Sequence, residues 1–121
     1  MPRHVLPEDQ IHPAARAQVA AAHRSTVDAV RTAIAQHPVV VVGMRGNPFV
    51  GKARKALDAA GVAHHDITIG SYVSEWRRRN ALKMWSGWPT LPMVFVKGQL
   101  VGGADDLASL LASGELKRLL G

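Results

Sequence analysis

The fold of this chain is decided by residues 38–57, which read PVVVVGMRGNPFVGKARKAL. Val39 to Val42 are consecutive β-branched residues, a pattern typical of a strand buried on both faces of a parallel sheet. Asn47 and Pro48 are favoured as the N-cap and the first residue of a helix, and Gly61 is favoured just beyond a helix end. The segment therefore predicts a central strand, a short loop and a helix that ends before Gly61.

The flanking segments extend this pattern into an alternating α/β chain. An Ala-rich run from Pro13 predicts helix, and Val27, Val30 and Ile34 repeat at helical spacing. One long helix and two shorter ones are both compatible with this stretch. Residues 62–69 predict a second strand, parallel to the first because a helix connects the two.

The C-terminal half predicts a helix, a hairpin and a closing helix. Residues 71–85 are expected to be helical, and residues 93–101 predict a β-hairpin around a Lys-Gly turn. Asp105 or Asp106 is expected to cap the next helix.

The order of these elements predicts the architecture. Two parallel strands feed an antiparallel hairpin, which gives a four-stranded mixed sheet flanked by helices. We expect residues 1–24 to form an N-terminal extension, a tail plus a helix, and residues 25–121 to form the α/β domain.

Composition restricts the chemistry that this sequence can perform. Its 121 residues include 15 Lys and Arg, 9 Asp and Glu and no Cys, for a net charge of +6. Without cysteine the sequence provides no thiolate nucleophile, disulfide or thiolate metal ligand. The positive charge attracts anions, but it indicates a nucleic-acid partner only where it forms a clustered motif, so none is expected.

Neither a membrane segment nor a metal site is expected from the sequence. No stretch approaches the roughly 20 apolar residues that a membrane span needs, and the N-terminus lacks the apolar region of a secretory signal. We therefore expect a cytoplasmic location. His64 and His65 are adjacent on the predicted second strand and point to opposite faces, and no histidines are paired one helical turn apart.

Four stretches together resemble the glutaredoxin branch of the thioredoxin fold, particularly the monothiol glutaredoxins. Residues 38–42 match the family's first strand, and residues 88–92, WPTLP, resemble its Trp-Pro-Thr-x-Pro, which ends in a cis-proline. Residues 97–105 resemble its hairpin ending in Gly-Gly-Cys-Asp, and residues 113–116 resemble its last turn. The resemblance covers residues 26–120 and implies a thioredoxin-like fold.

The resemblance also locates a change in chemistry. The family places Cys-x-x-Cys or Cys-Gly-Phe-Ser at the start of the first crossover helix. Asn47 and Val50 occupy those two positions here, and Ala104 replaces the cysteine of Gly-Gly-Cys-Asp. Since thiol–disulfide exchange needs a thiolate, the resemblance implies a redox-inactive member with no catalytic residue and no iron–sulfur cluster held by Asn47.

The ligand groove implied by the resemblance does not depend on sulfur alone. Arginines can clamp a carboxylate, and an acidic side chain can meet an α-ammonium. The expected ligand is therefore non-covalent glutathione or a peptide segment, with no covalently bound cofactor. The positions that match the family's glutathione-binding residues are Arg45, Arg79, Leu91, Pro92, Ala104 and Asp105.

Two other functions stay open at this level. Asn47 and Arg45 beside a helix N-terminus could stabilise an oxyanion in a cysteine-independent, glutathione-dependent enzyme, although no general base is evident. The basic surface and the extension over residues 1–24 could instead serve a protein or nucleic-acid interaction module.

Overall fold

The computed structural model describes Leu6 and residues 8–10, 12–21, 24–71 and 74–121. The sheet has the strand order β2-β1-β3-β4, where the strands are β1 (Val39–Arg45), β2 (His65–Ser71), β3 (Met93–Val96) and β4 (Gln99–Gly102). β1 pairs parallel with β2 and antiparallel with β3, which pairs antiparallel with β4. This topology confirms the expected four-stranded mixed sheet.

Helices cover both faces of the sheet, and a short 3-10 turn lies at Glu8–Gln10. The α-helices of the described residues are α1 (Pro13–Ala21), α2 (Arg24–Gln36), α3 (Pro48–Ala59), α4 (Trp76–Ser86), α5 (Ala104–Ser113) and α6 (Glu115–Leu120). None of them is both long and apolar enough to cross a membrane.

The valine run of β1 supplies both halves of the core. Val40 and Val42 pack with residues of α2 and α4 on one face of the sheet. Val39 and Val41 pack with residues of α3, α5 and α6 on the other face. Because successive strand residues point to opposite faces, an unbroken apolar run is what a strand covered on both sides requires.

The N-terminal segment is helical over α1 and α2, and residues 22–23 between them lie outside the described part of the chain. α2 begins at Arg24, so Ser25 lies inside this helix. The Asp28 carboxylate lies 3.7 Å from Arg24 Nε and 3.8 Å from Arg31 Nη1. The division into an extension and a domain at residue 24 stays a prediction.

β2 begins and ends later than the expected residues 62–69. Val62 N–H donates to the Leu57 carbonyl at 2.9 Å, so Val62 still belongs to the turn that ends α3. The strand continues through Gly70, which has a φ of +64°. A Cβ at Gly70 would lie 2.5 Å from the Ser74 carbonyl oxygen, so the bend requires glycine.

α4 also begins later than the expected residue 71. Ser71 is the last residue of β2 and forms a bridge with Ser74. Glu75 follows with a positive φ of 62°, and the helix starts at Trp76. Tyr72 and Val73, which the sequence places on the helix, lie outside the described residues.

The adjacent histidines lie in different surroundings. His64 precedes β2. Its Nε2 lies 2.8 Å from Asp58 Oδ1, and its Nδ1 lies 2.6 Å from Asp66 Oδ1. His65 begins β2, and its ring stacks on His37 with the centroids 4.2 Å apart. In the described part of the chain, no group of three or more His, Asp or Glu side chains could hold a metal ion.

Candidate ligand-binding groove

A groove of about 510 Å³ lies where the start of α3 meets the bend before β3 and the start of α5. Asn47, Leu91, Pro92, Ala104 and Asp105 line this groove. The structure therefore brings together five residues that the sequence singles out, from three separate parts of the chain.

Asn47 is the N-cap of α3. Its Oδ1 accepts hydrogen bonds from Phe49 N–H at 2.9 Å and from Val50 N–H at 3.4 Å. These bonds satisfy donors that a helix N-terminus otherwise leaves without partners. Val50 is 2% exposed, and a Cβ at Gly43 would lie only 2.4 Å from its Cγ1. Val50, which the resemblance aligns with the family's second cysteine position, is thus a core packing residue.

The same asparagine reaches the bend on the other side of the groove. Asn47 Nδ2 donates to the Leu91 carbonyl at 3.4 Å, and the Leu91–Pro92 peptide bond is cis, as the resemblance implies. Both side chains of the bend are buried. The part of Leu91 that the groove can offer to a ligand is therefore its backbone.

The start of α5 forms the third wall. Gly103 is the N-cap, and its N–H donates to Asp106 Oδ2 at 2.9 Å. Neither aspartate is the N-cap residue, because both lie in the first turn of α5, but Asp106 accepts from the N-cap N–H and so supplies the capping-box bond expected of one of the two. Carboxylates there face the positive end of the helix dipole. A Cβ at Gly102 would lie 2.4 Å from Asp106 Oδ2, so the turn requires glycine.

Asp105 stays accessible at the edge of the groove. Its side chain is 87% exposed, and its Oδ1 lies 3.8 Å from Lys52 Nζ of α3. An ion pair this exposed contributes about 0–1 kcal/mol, so it does little to hold the carboxylate away from a ligand.

The two arginines that the sequence assigns to the groove lie apart from it. Arg79 is 6% exposed, and its Nη1 donates to the Ile69 carbonyl at 3.1 Å and to the Ser74 carbonyl. It therefore ties α4 to the end of β2. Arg45 is the exposed last residue of β1 and does not line the groove.

Further residues line the groove that are not among the predicted site residues. Lys83 of α4 lines the groove and supplies a cation, and Phe49 lines it while remaining 54% exposed. Trp88 also lines it, and its buried Nε1 has no hydrogen-bond partner among the described residues. Trp88 could be found from the sequence because it begins the Trp-Pro-Thr stretch. Lys83 lies five positions before this stretch, outside any quoted motif.

Comparison of the sequence with known proteins identifies its relatives. Residues 38–101 match the family model described as Glutaredoxin. The chain is 44% identical over 94 residues to a glutaredoxin-like protein of Dictyostelium discoideum. The aligned region covers 78% of this chain and 76% of that protein. It is 35% identical over 101 residues to the mitochondrial monothiol glutaredoxin-5 of Schizosaccharomyces pombe, covering 78% of this chain and 68% of that protein.

Solved structures show the same architecture. A buckwheat glutaredoxin–glutathione complex superposes with a TM-score of 0.71 at 23% identity, over 80% of this chain and 88% of that chain. The mixed sheet, its helical layers and the cis-proline bend define a thioredoxin-like fold. The family match and the identity to the Dictyostelium protein further show that the chain belongs to the glutaredoxin family. It is a member without cysteine, consistent with a replaced active-site cysteine.

Proposed function

We propose that this protein is a non-catalytic binding module that takes glutathione, or an extended peptide of similar chemistry, in the groove beside Pro92. The observation that carries the proposal is the side-chain amide of Asn47, hydrogen-bonded to the Leu91 carbonyl at the position where the family has its thiol. The cis-proline bend and the start of α5 flank that position, and the side chain there is a neutral amide.

The charges of the groove support a zwitterionic ligand. Glutathione carries two carboxylates and one α-ammonium. Asp105 and Asp106 at the start of α5 can meet the ammonium, and Lys83 can meet a carboxylate. The backbone of Leu91 can pair with an extended peptide in the manner of an added strand.

Asn47 does not fit the thiol chemistry of the family. A thiolate attacks sulfur and ligates iron, whereas a carboxamide is neutral and does neither well. Its oxygen already accepts from Phe49 and Val50 N–H. The residues present therefore do not fit an iron–sulfur cluster held at this position.

The same hydrogen bonds argue against the cysteine-independent enzyme. An oxyanion at the start of α3 would need free N–H groups aimed at it. Two of the N–H groups there donate to Asn47 Oδ1. Binding without turnover is therefore the better-supported function.

A titration of the protein with glutathione, followed by backbone amide chemical shifts, tests the proposal. We expect saturable shifts at groove residues, with weaker binding in Asp105→Asn and unchanged binding in Asp58→Asn, which removes the same charge far from the groove. S-methylglutathione should bind as reduced glutathione does. Absence of shifts at about 10 mM ligand would rule the proposal out.

The location and the partners of the protein stay predictions. The cytoplasmic location expected from the sequence is not supported by the relatives, one of which is a mitochondrial protein. A protein partner that presents an extended segment would use the same groove.

A further inference from the structure

A second groove, of about 900 Å³, lies at the other end of β1 from Asn47. Pro38, just before β1, lines it, and so do residues at the ends of α2 and α4 and in the β3–β4 turn. It shares no lining residue with the groove beside Pro92. An inference about it is therefore independent of the glutathione proposal.

The interior of this second groove is apolar. Ile34, Trp85, Phe95 and Leu100 line it, with the ring centroids of Trp85 and Phe95 6.2 Å apart. Phe95 is buried, but the other three are only partly buried. Concave apolar surface left open to water, with a polar rim, is typical of a ligand pocket.

The rim of the groove is basic. Arg31 contributes from α2 and Lys97 from the β3–β4 turn, and none of the described residues that line the groove is acidic. The Lys97 side chain makes no ion pair with any described residue, whereas Arg31 lies 3.8 Å from the exposed Asp28. Two cations on the rim of an apolar groove favour an anionic occupant.

The backbone fixes Lys97 at this rim. Its N–H donates to the Pro38 carbonyl at 2.8 Å, and its φ is 51°. The next residue, Gly98, lies against α2, since a Cβ there would be 3.9 Å from Ile34 Cγ2. The turn therefore holds the lysine over the end of α2, where a bound anion can reach it.

We propose that this second groove binds a small amphipathic anion, with an aliphatic or aromatic body and a single carboxylate. The body packs against Trp85 and Leu100, and the carboxylate pairs with Lys97 and Arg31. Neutral and cationic molecules with the same body bind less well, because they lack the charge that the rim attracts.

Decanoate is a suitable probe, titrated below its micelle concentration into the full chain and followed by backbone amide shifts. We expect shifts at residues of the second groove, and binding weaker by about threefold to fivefold in Lys97→Gln. Lys55→Gln, which removes the same charge from an exposed site on α3, should bind decanoate as the unaltered protein does.

Three outcomes would overturn the proposal. The first is binding of decylamine as tight as that of decanoate, and the second is an equal effect of the two lysine substitutions. The third is a concentration-dependent shift of the same amides without any ligand, which would show that the groove is an interface between copies of this chain.

Discussion

Asn47 Nδ2 and the Leu91 carbonyl oxygen lie 3.4 Å apart, so a single side chain links the first turn of α3 to the cis-proline bend. Its other atom, Oδ1, caps the helix. Asn47 thus connects two walls of the groove that it lines.

We expect Asn47→Ala to lower the free energy of unfolding by about 1 kcal/mol, because it removes the cap. Asn47→Ser keeps a capping oxygen and should cost less than half as much. Urea denaturation of both variants measures the difference. Equal destabilisation by the two substitutions would contradict the capping role.

The start of α3 should still activate a thiol placed there. In Asn47→Cys we expect the introduced thiol to have a pKa below the ordinary value, because the helix N-terminus stabilises the thiolate. The ultraviolet absorbance of the thiolate against pH gives this pKa. Ser109→Cys, exposed on α5, is the matched control and should titrate as a free thiol does. If both thiols titrate alike, residue 47 does not lie where the dipole acts.

His64 should make stability depend on pH. Burial lowers its pKa, but the hydrogen bonds and charges of Asp58 and Asp66 outweigh burial and raise the pKa above the ordinary 6.5. A raised pKa adds stability that is fully present below 6.5 and is lost as pH rises through the folded-state pKa.

We therefore expect the free energy of unfolding to fall from pH 6.5 upward, more steeply in the unaltered protein than in His64→Gln. Urea midpoints across that window test this. The same slope in the unaltered protein and in His64→Gln would show that Asp58 and Asp66 do not raise the pKa of His64 in the folded state.

Arg79 should matter for stability. Arg79→Ala removes a buried donor from the Ile69 and Ser74 carbonyls and should cost about 2–3 kcal/mol. Arg77→Ala, the exposed neighbour, should cost no more than about 0.5 kcal/mol. Thermal and urea unfolding of the two variants provide the comparison. A ligand contact at Arg79 would instead weaken glutathione binding without this loss of stability.

Much of the sheet could be predicted because its signals are local. The valine run of β1 and the Lys-Gly turn of the hairpin each specify a backbone conformation without reference to the rest of the chain. The boundary between β2 and α4 could not be predicted in this way. It depends on positive φ angles at Gly70 and Glu75, and the second of these is unusual for a residue with a Cβ.

The sequence predicts the groove residues whose position depends on the backbone. It does not predict those whose position depends on the direction of a long side chain. Leu91 and Pro92 form a tight bend and Ala104 begins α5, and the spacing of these segments fixes their position. Arg79 and Lys83 are one helical turn apart on α4, yet one is buried under β2 and the other lines the groove. Sequence spacing gives a position along a helix, but tertiary packing decides which carbonyls an arginine meets.

The amide at residue 47 also has a consequence for durability. Peroxides and electrophiles convert an accessible thiol stepwise into sulfenic and higher acids or into adducts. A carboxamide has no such series of products. The link between α3 and the cis-proline bend should therefore persist under oxidising conditions that would alter a thiol placed at residue 47.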